Sequence, residues 1–319
     1  MGALQIKHLF GLQGVSKSDI RTILDNAKQF REILERPVKK VPSLRGLTVV
    51  NLFFENSTRT RTSFELAEKR LSADTVNFAS SNSSVKKGET LVDTLRNIES
   101  MKIDIVVVRH KGTGVPKFLA EHSNAIIVNA GDGAHEHPTQ SLLDMLTVEE
   151  KLGTLEGKKV AIVGDIRHSR VARSNIWGMT TMGAHVTLCG PSTLVPRNTE
   201  LLQYKELAGS VSWETDVYKA VEDADAVIAL RLQKERMDDA LLPSMREYRN
   251  FFGITEKVLS EAKDKVILMH PGPINRGVEL DSDIADGEHS VILDQVTNGV
   301  AVRMAVLYLL AGGRANENA

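Results

Sequence analysis

Apolar residues at Ile20, Ile23, Leu24, Ala27, Phe30, Ile33 and Leu34 recur three and four positions apart. That is the period of a helix buried along one stripe, here opened by Ser16 and ended by Pro37. The pattern then changes. Residues 47–54 form a short, almost wholly apolar run, 104–108 another and 125–128 a third, while the helical period returns over 60–71, 89–101 and 115–122. Continuous apolar runs alternating with helices predict parallel strands buried on both faces. After a helix over 138–152 the rhythm repeats, with strands at 159–164, 184–188, 224–230 and 266–269 and helices at 171–182, 200–207 and 255–262. A last apolar helix over 295–310 is long enough to return to the first half, and 312–319 reads as a frayed polar tail. The expected fold class is α/β: two three-layer domains, each with a mostly parallel central sheet flanked by helices. Residues 1–137 plus 290–319 are expected to form one domain, 138–153 a linking helix and 154–289 the second domain.

Composition narrows the function classes. The chain has 319 residues, enough for two cores, with 42% hydrophobic and 25% charged residues. Forty Lys plus Arg against 41 Asp plus Glu leave a formal charge of -1. Each half is close to neutral as well, so neither attracts nucleic acid or membrane in bulk, and any anion site must be local. Cys189 is the sole cysteine, which excludes an internal disulfide and any multi-thiolate metal site within one chain. That fits a reducing compartment. The first residues lack the basic start and apolar core of a signal peptide, and no 18-residue apolar run occurs, so a cytoplasmic chain is expected.

Directly after the 47–54 strand comes Glu55-Asn56-Ser57-Thr58-Arg59-Thr60-Arg61-Thr62, and a helix follows. Hydroxyls and two guanidinium groups thus sit at a strand-to-helix turn, where free backbone N–H groups and the helix dipole favour an anion such as phosphate. Capping by Ser57, or by a Thr62–Glu65 capping box, accounts for one hydroxyl and leaves the arginines unexplained. There is no Walker pattern, and neither half has Gly-x-Gly-x-x-Gly after a strand.

His137-Pro138-Thr139-Gln140 opens the linking helix, with Pro138 suited to its first turn. A histidine at this positive helix end either caps the helix or, kept neutral, donates a hydrogen bond to a carbonyl. His135-x-His137 has only Asp132 and Glu136 as neighbouring carboxylates and no nearby cysteine, so no metal site is expected.

Six segments occur in an order that carries a resemblance: Ser57-Thr58-Arg59-Thr60-Arg61, Lys86-Lys87-Gly88-Glu89-Thr90, Val108-Arg109-His110, His137-Pro138-Thr139-Gln140, Arg231-x-Gln233-x-Glu235-Arg236 and His270-Pro271-x-Pro273. Together they resemble the motifs of aspartate carbamoyltransferase catalytic chains, in the transcarbamoylase family. The first motif is common to transcarbamoylases and Arg-x-Gln-x-x-Arg is typical of the aspartate branch. The resemblance implies that carbamoyl phosphate binds the first domain and aspartate the second. It assigns the phosphate to Ser57, Thr58, Arg59 and Thr60, with Arg109 reaching phosphate and carbonyl oxygen. Thr60, Arg109 and His137 would surround that oxygen, and Gln140 would hold the carbamoyl NH2. Arg59, Thr60, Arg109 and His137 are the expected catalytic residues.

For aspartate, whose two carboxylates need two cationic anchors, the resemblance offers Arg170 and Arg231, with Gln233, Gly272, Pro273 and Lys87. Locally, Arg170 reads as an exposed charge at a helix start. Arg231 follows an apolar strand, at the edge where open α/β sheets bind ligands. Ser83 and Lys87 lie in a polar loop, and the resemblance places them in the active site of a neighbouring subunit, which implies a homotrimer with shared sites. It implies no metal and no organic cofactor, and leaves room for regulatory or dihydroorotase partner chains.

Two positions depart from the pattern. Gly272 stands where some relatives carry leucine or alanine, a change of loop stiffness more than of chemistry because the family contact is to backbone carbonyls. Arg167 has no role in the motif set. The rival readings are an ornithine carbamoyltransferase and an inactive anion-binding homologue. The first conflicts with Arg231 and Gln233, where a cationic side chain would need an acidic or neutral group, and with Pro271 in place of the cysteine of that branch's turn.

Overall fold

The structure is a computed structural model that describes residues 4–79, 89–196, 206–232 and 244–315. The chain divides into two compact units, Met1–Leu143 with Thr297–Ala319 and Asp144–Val296.

Unit 1 begins with α1 (Lys17–Ile33), whose N-cap Ser16 accepts the Asp19 N–H at 3.1 Å. There follow β1 (Thr48–Phe53), α2 (Thr58–Arg70), β2 (Asp74–Ala79), α3 (Leu91–Glu99), β3 (Ile105–His110), α4 (Val115–Ala120) and β4 (Ile126–Asp132). Helix α5 (Pro138–Leu152) leads into unit 2, which holds β5 (Lys159–Val163), α6 (Arg170–Thr181), β6 (His185–Cys189), β7 (Ser210–Glu214), α7 (Val217–Val221), β8 (Ala226–Ala229), α8 (Met245–Phe252), α9 (Glu256–Leu259), β9 (Ile267–Met269) and α10 (Ser282–Ala285). Helix α11 (Ile292–Ala315) begins in unit 2, and from Thr297 onward the chain belongs to unit 1.

The first sheet runs β2-β1-β3-β4 and the second β7-β6-β5-β8-β9, with every ladder parallel. Strands β1, β3 and β4 are buried almost throughout, which is why they read as continuous apolar runs. Their side chains Val50, Leu52, Val106, Val108 and Ile127 pack with Leu95, Ile98 and Leu119 of α3 and α4. In unit 2, Ala161, Val163, Val227, Ala229 and Leu268 pack with Val221 and Val258 in the same way.

The apolar runs did not show β2 or β7. Both are edge strands, and β7 (Ser-Val-Ser-Trp-Glu) is half-exposed or exposed along its length, so no unbroken apolar run marks it. The helix expected over 200–207 falls mostly in residues outside those described. At the end of the chain the expected frayed tail starts too early, because α11 continues through Gly312 to Ala315. Its buried Ala301, Val302, Met304, Ala305, Val306 and Leu307 hold the helix by packing, which overrides the low helix propensity of two glycines. Among the described residues no helix is long and apolar enough to cross a membrane. The Cys189 thiol is buried, and burial pushes its pKa up to about 12.

One buried carboxylate sits behind the first sheet's central strands. Glu68 of α2 is 0% exposed and accepts a hydrogen bond from Asn51 Nδ2 of β1 at 3.0 Å. Burial outweighs that bond and raises its pKa to about 7 from 4.5. The folded state therefore holds this proton more tightly than the unfolded chain, so the stabilisation is present below pH 4.5 and is lost as pH rises through about 7. Glu68→Gln is expected to flatten this part of the profile. In urea titrations from pH 5 to pH 8 the wild type should lose about 2 kcal/mol relative to the variant. A constant difference between the two across that range would rule the buried proton out.

Candidate active site

In a parallel sheet, two neighbouring strands whose chain connections depart in opposite directions leave a crevice at their carboxyl ends. In the first sheet the chain passes from β1 outward to β2 and then to β3 on the other side, so the switch lies between β1 and β3. In the second it passes from β5 to β6 and β7 and returns to β8, so the switch lies between β5 and β8. Of the residues singled out from the sequence, Ser57 to Thr60 and Arg109 lie at the first point and Arg170 and Arg231 at the second.

In unit 1, β1 ends at Phe53, and Ser57 is the N-cap residue of α2. The helix begins at Thr58, so Thr62 lies inside it and the Thr62–Glu65 capping box does not form. Nor does the Ser57 side chain cap the helix; its Oγ donates to Thr60 Oγ1 at 3.0 Å. The first turn carries no acidic residue. Thr60 is buried, Ser57 is half-buried, and Thr58 and Arg59 are exposed. The turn thus offers hydroxyls, a guanidinium group and a helix N-terminus whose first turn carries no acidic side chain, a set suited to an anion.

Arg109 stands at the neighbouring strand end, paired in register with Phe53. It is 8% exposed, donating from Nη1 to the Ala130 carbonyl of β4 at 3.0 Å and from Nη2 to Glu55 Oε1 at 3.3 Å. The guanidinium is therefore fixed between the turn after β1 and the end of β4. Glu55 is the residue whose part the sequence reading missed, although it begins the quoted hydroxyl-rich run. Beside Arg109, His110 accepts the Gly112 N–H on Nδ1 at 2.8 Å, and burial lowers its pKa.

After β4 the chain makes a tight turn into α5. Asp132 accepts the Gly114 N–H at 2.8 Å, the Glu136 N–H at 3.2 Å and the Asn129 side-chain amide at 2.8 Å, and pairs with His135 at 3.2 Å. The buried Glu136 carboxylate accepts backbone N–H groups from Leu12 and Gln13 at 2.6 and 3.1 Å. Both carboxylates thus tie neighbouring loops together through backbone N–H groups. His137, 4% exposed, accepts the Gln140 N–H on its carbonyl at 3.0 Å, and Gln140 is itself 9% exposed. The turn thus buries both groups after β4, the strand paired with β3.

In unit 2, β5 is followed by Gly164, which has φ +141°, and a Cβ there would lie 2.8 Å from the Leu230 Cβ. Only glycine allows the ends of β5 and β8 to approach this closely. The next turn is pinned by Asp165, which accepts the His168 N–H at 3.1 Å and faces His168 Nδ1 at 3.0 Å. Ser169 then caps α6, and Arg170 is the first helical residue. Arg170 is 4% exposed, so it is not the solvated helix-start charge that its local sequence suggests. Packing around the first turn of α6 covers it, a tertiary effect that no local pattern carries. Arg231 follows β8 and is half-buried.

The third strand end of this group is β9, followed by His270-Pro271-Gly272-Pro273 with a cis Gly272–Pro273 peptide. Gly272 has φ +66°, a conformation that a residue with a Cβ rarely adopts. Arg167 is exposed, and its backbone N–H donates to the Leu194 carbonyl at 2.9 Å. Ser83, Lys87 and Gln233, with Lys86, Glu235 and Arg236 of the quoted motifs, lie outside the described residues.

Comparison with known proteins agrees along the whole chain. Residues 7–150 match the model for the aspartate/ornithine carbamoyltransferase carbamoyl-P binding domain, and residues 156–310 match that for the Asp/Orn binding domain. The aspartate carbamoyltransferase catalytic subunit of Gemmatimonas aurantiaca is 60% identical over 308 residues, which is 97% of this chain and 94% of that one. Its counterpart in Cytophaga hutchinsonii is 56% identical over 314 residues, covering 98% of this chain and 100% of that one. Among solved structures, aspartate transcarbamoylase from Trypanosoma cruzi in complex with N-(phosphonacetyl)-L-aspartic acid superposes with TM-score 0.86 at 30% identity, covering 94% of each chain. Ornithine carbamoyltransferase from Pyrococcus furiosus superposes with TM-score 0.88 at 31% identity, covering 98% of this chain and 99% of that one. The backbone alone does not separate the two branches, whereas the 56–60% identities fall on the aspartate side.

Proposed function

Because the chain belongs to the aspartate/ornithine carbamoyltransferase family, we infer that it acts as an aspartate carbamoyltransferase. It transfers the carbamoyl group of carbamoyl phosphate to the α-amino group of L-aspartate, giving N-carbamoyl-L-aspartate and phosphate, an early step of de novo pyrimidine biosynthesis. The observation that carries this reading is the pair of cationic sets, one at each switch point: Arg59 and Arg109 in unit 1, Arg170 and Arg231 in unit 2. One set suits a phosphate dianion and the other a dicarboxylate. Ornithine carries an ammonium group where aspartate has its second carboxylate, and a second arginine there would repel it.

In this reading the phosphate lies on the N-terminus of α2, held by Ser57, Thr58, Arg59 and Thr60. Thr60, Arg109 and His137 donate to the carbonyl oxygen, where negative charge grows as the amine attacks, and fixed donors at such an oxygen contribute roughly 3 kcal/mol each. Gln140 accepts from the carbamoyl NH2. Arg170, Arg231 and Gln233 hold the aspartate carboxylates, and the Gly272–Pro273 backbone accepts from its amine. The neutral amine adds to the carbamoyl carbon, the C–O bond to phosphate breaks, and the departing phosphate takes the amine proton. The reaction proceeds without a covalent enzyme intermediate. Ser83 and Lys87 complete the site of a neighbouring subunit in a homotrimer. We place the enzyme in the cytoplasm, a reading supported by its single, buried thiol.

The test is product identity. Purified protein supplied with carbamoyl phosphate and either amino acid should form carbamoyl-aspartate and no citrulline. Citrulline would assign the ornithine branch, and neither product would leave an inert anion-binding homologue.

A further inference from the structure

Unit 2 contains a chain of buried polar groups that none of the roles above uses. Asp144 of α5, Asn175 of α6, Gln295 of α11, His270 and Glu279 are each 3% exposed or less. Asp144 accepts Asn175 Nδ2 at 2.8 Å on one oxygen and Gln295 Nε2 at 2.7 Å on the other. With its nitrogen committed to Asp144, Gln295 presents Oε1 to the His270 backbone N–H at 2.9 Å. The His270 ring continues the chain. Gly272 N–H donates to Nδ1 at 2.7 Å, which leaves the ring proton on Nε2, 3.3 Å from Glu279 Oε1. The same Glu279 oxygen accepts the Asn275 N–H at 2.6 Å. Three backbone N–H groups of the loop after β9, those of residues 270, 272 and 275, are thereby tied to buried side chains.

We propose that Gln295 and Asp144 are positioning residues of the aspartate site, a relay that orients His270 and through it fixes the 272–273 backbone. The proposal rests on the assignment of that backbone to aspartate made above. The relay has a direction that chemistry enforces. A carboxylate at 144 can only accept, so the Gln295 amide has one orientation in which both ends are satisfied, and burial makes the alternative costly. The loop backbone consequently has one placement relative to α5 and α11.

Gln295→Glu sets two carboxylates against each other and should break the relay at its centre. Adding Asp144→Asn to that variant restores a donor–acceptor match at the same total charge, with Asn175 still donating to residue 144. Asp144→Asn alone should be mild, because the buried Asn175 amide can turn to present its oxygen. We expect Gln295→Glu to raise KM for aspartate about tenfold and leave KM for carbamoyl phosphate within about twofold, and the double variant to return to within about threefold of wild type. Gln295→Met serves if the single charge variant does not fold, and amide hydrogen exchange at Gly272 should then be faster than in wild type. Equal changes in both KM values and kcat without rescue would reduce the relay to general structural support, and unchanged kinetics with unchanged Gly272 exchange would remove it. A wild-type protein that makes no carbamoyl-aspartate would overturn the functional reading instead, and the exchange measurement would still judge the relay.

Discussion

Arg109→Ala is expected to lower kcat about 10³-fold while the protein still folds. In the proposed reaction this guanidinium serves the phosphate and the carbonyl oxygen at once, so its removal takes away a charge and a donor where charge develops. The structure holds it in place before substrate arrives, between the Ala130 carbonyl and Glu55. A fork fixed in this way pays little for reorganisation at the moment of reaction. The cost to folding is modest. The Ala130 carbonyl loses one donor, at a cost of about 1–3 kcal/mol, while the half-exposed Glu55 can take water instead. Arg109→Lys is expected to recover little, since an ammonium cannot span both partners and still point a second donor at the substrate. Steady-state kinetics with a thermal melt of each variant decide the matter. A loss of less than tenfold in kcat with intact folding would remove Arg109 from the machinery.

Arg231→Ala should act on the other substrate. A carboxylate held by a charge-assisted fork contributes about 3 kcal/mol, so KM for aspartate is expected to rise about 100-fold. The dissociation constant of carbamoyl phosphate should stay within about twofold, because Arg231 follows β8 in unit 2 and the anion turn follows β1 in unit 1. If carbamoyl phosphate binding weakened as much as aspartate binding, Arg231 would have to be reassigned to the phosphate.

The two predictions differ in how far the sequence alone supports them. Arg231 directly follows an apolar run, and the segment from Glu55 to Thr60 directly follows another, so their place after strand ends was legible from the pattern. Arg170 was not. Its neighbours His168 and Ser169 are polar, and only the packing of α6 buries it to 4% exposure. Glu55 shows the same limit: it stands in the hydroxyl-rich run, yet its partner Arg109 is 54 positions away. Asp144 and Gln295 are separated by 151 positions, and each looks locally like an unremarkable polar residue in a helix.

Sequence by itself determined the residue chemistry, the buried strands and the turns that carry the charged groups. Those follow from hydrophobic period and from residue type, which act over a few positions. The order of strands in each sheet, and with it the two switch points, was decided only by the folded chain. So were the burial of Arg170 and the relay behind His270. They depend on which distant segments come into contact, and periodicity along a chain carries no information about that, because the same runs of apolar residues pack equally well in more than one order.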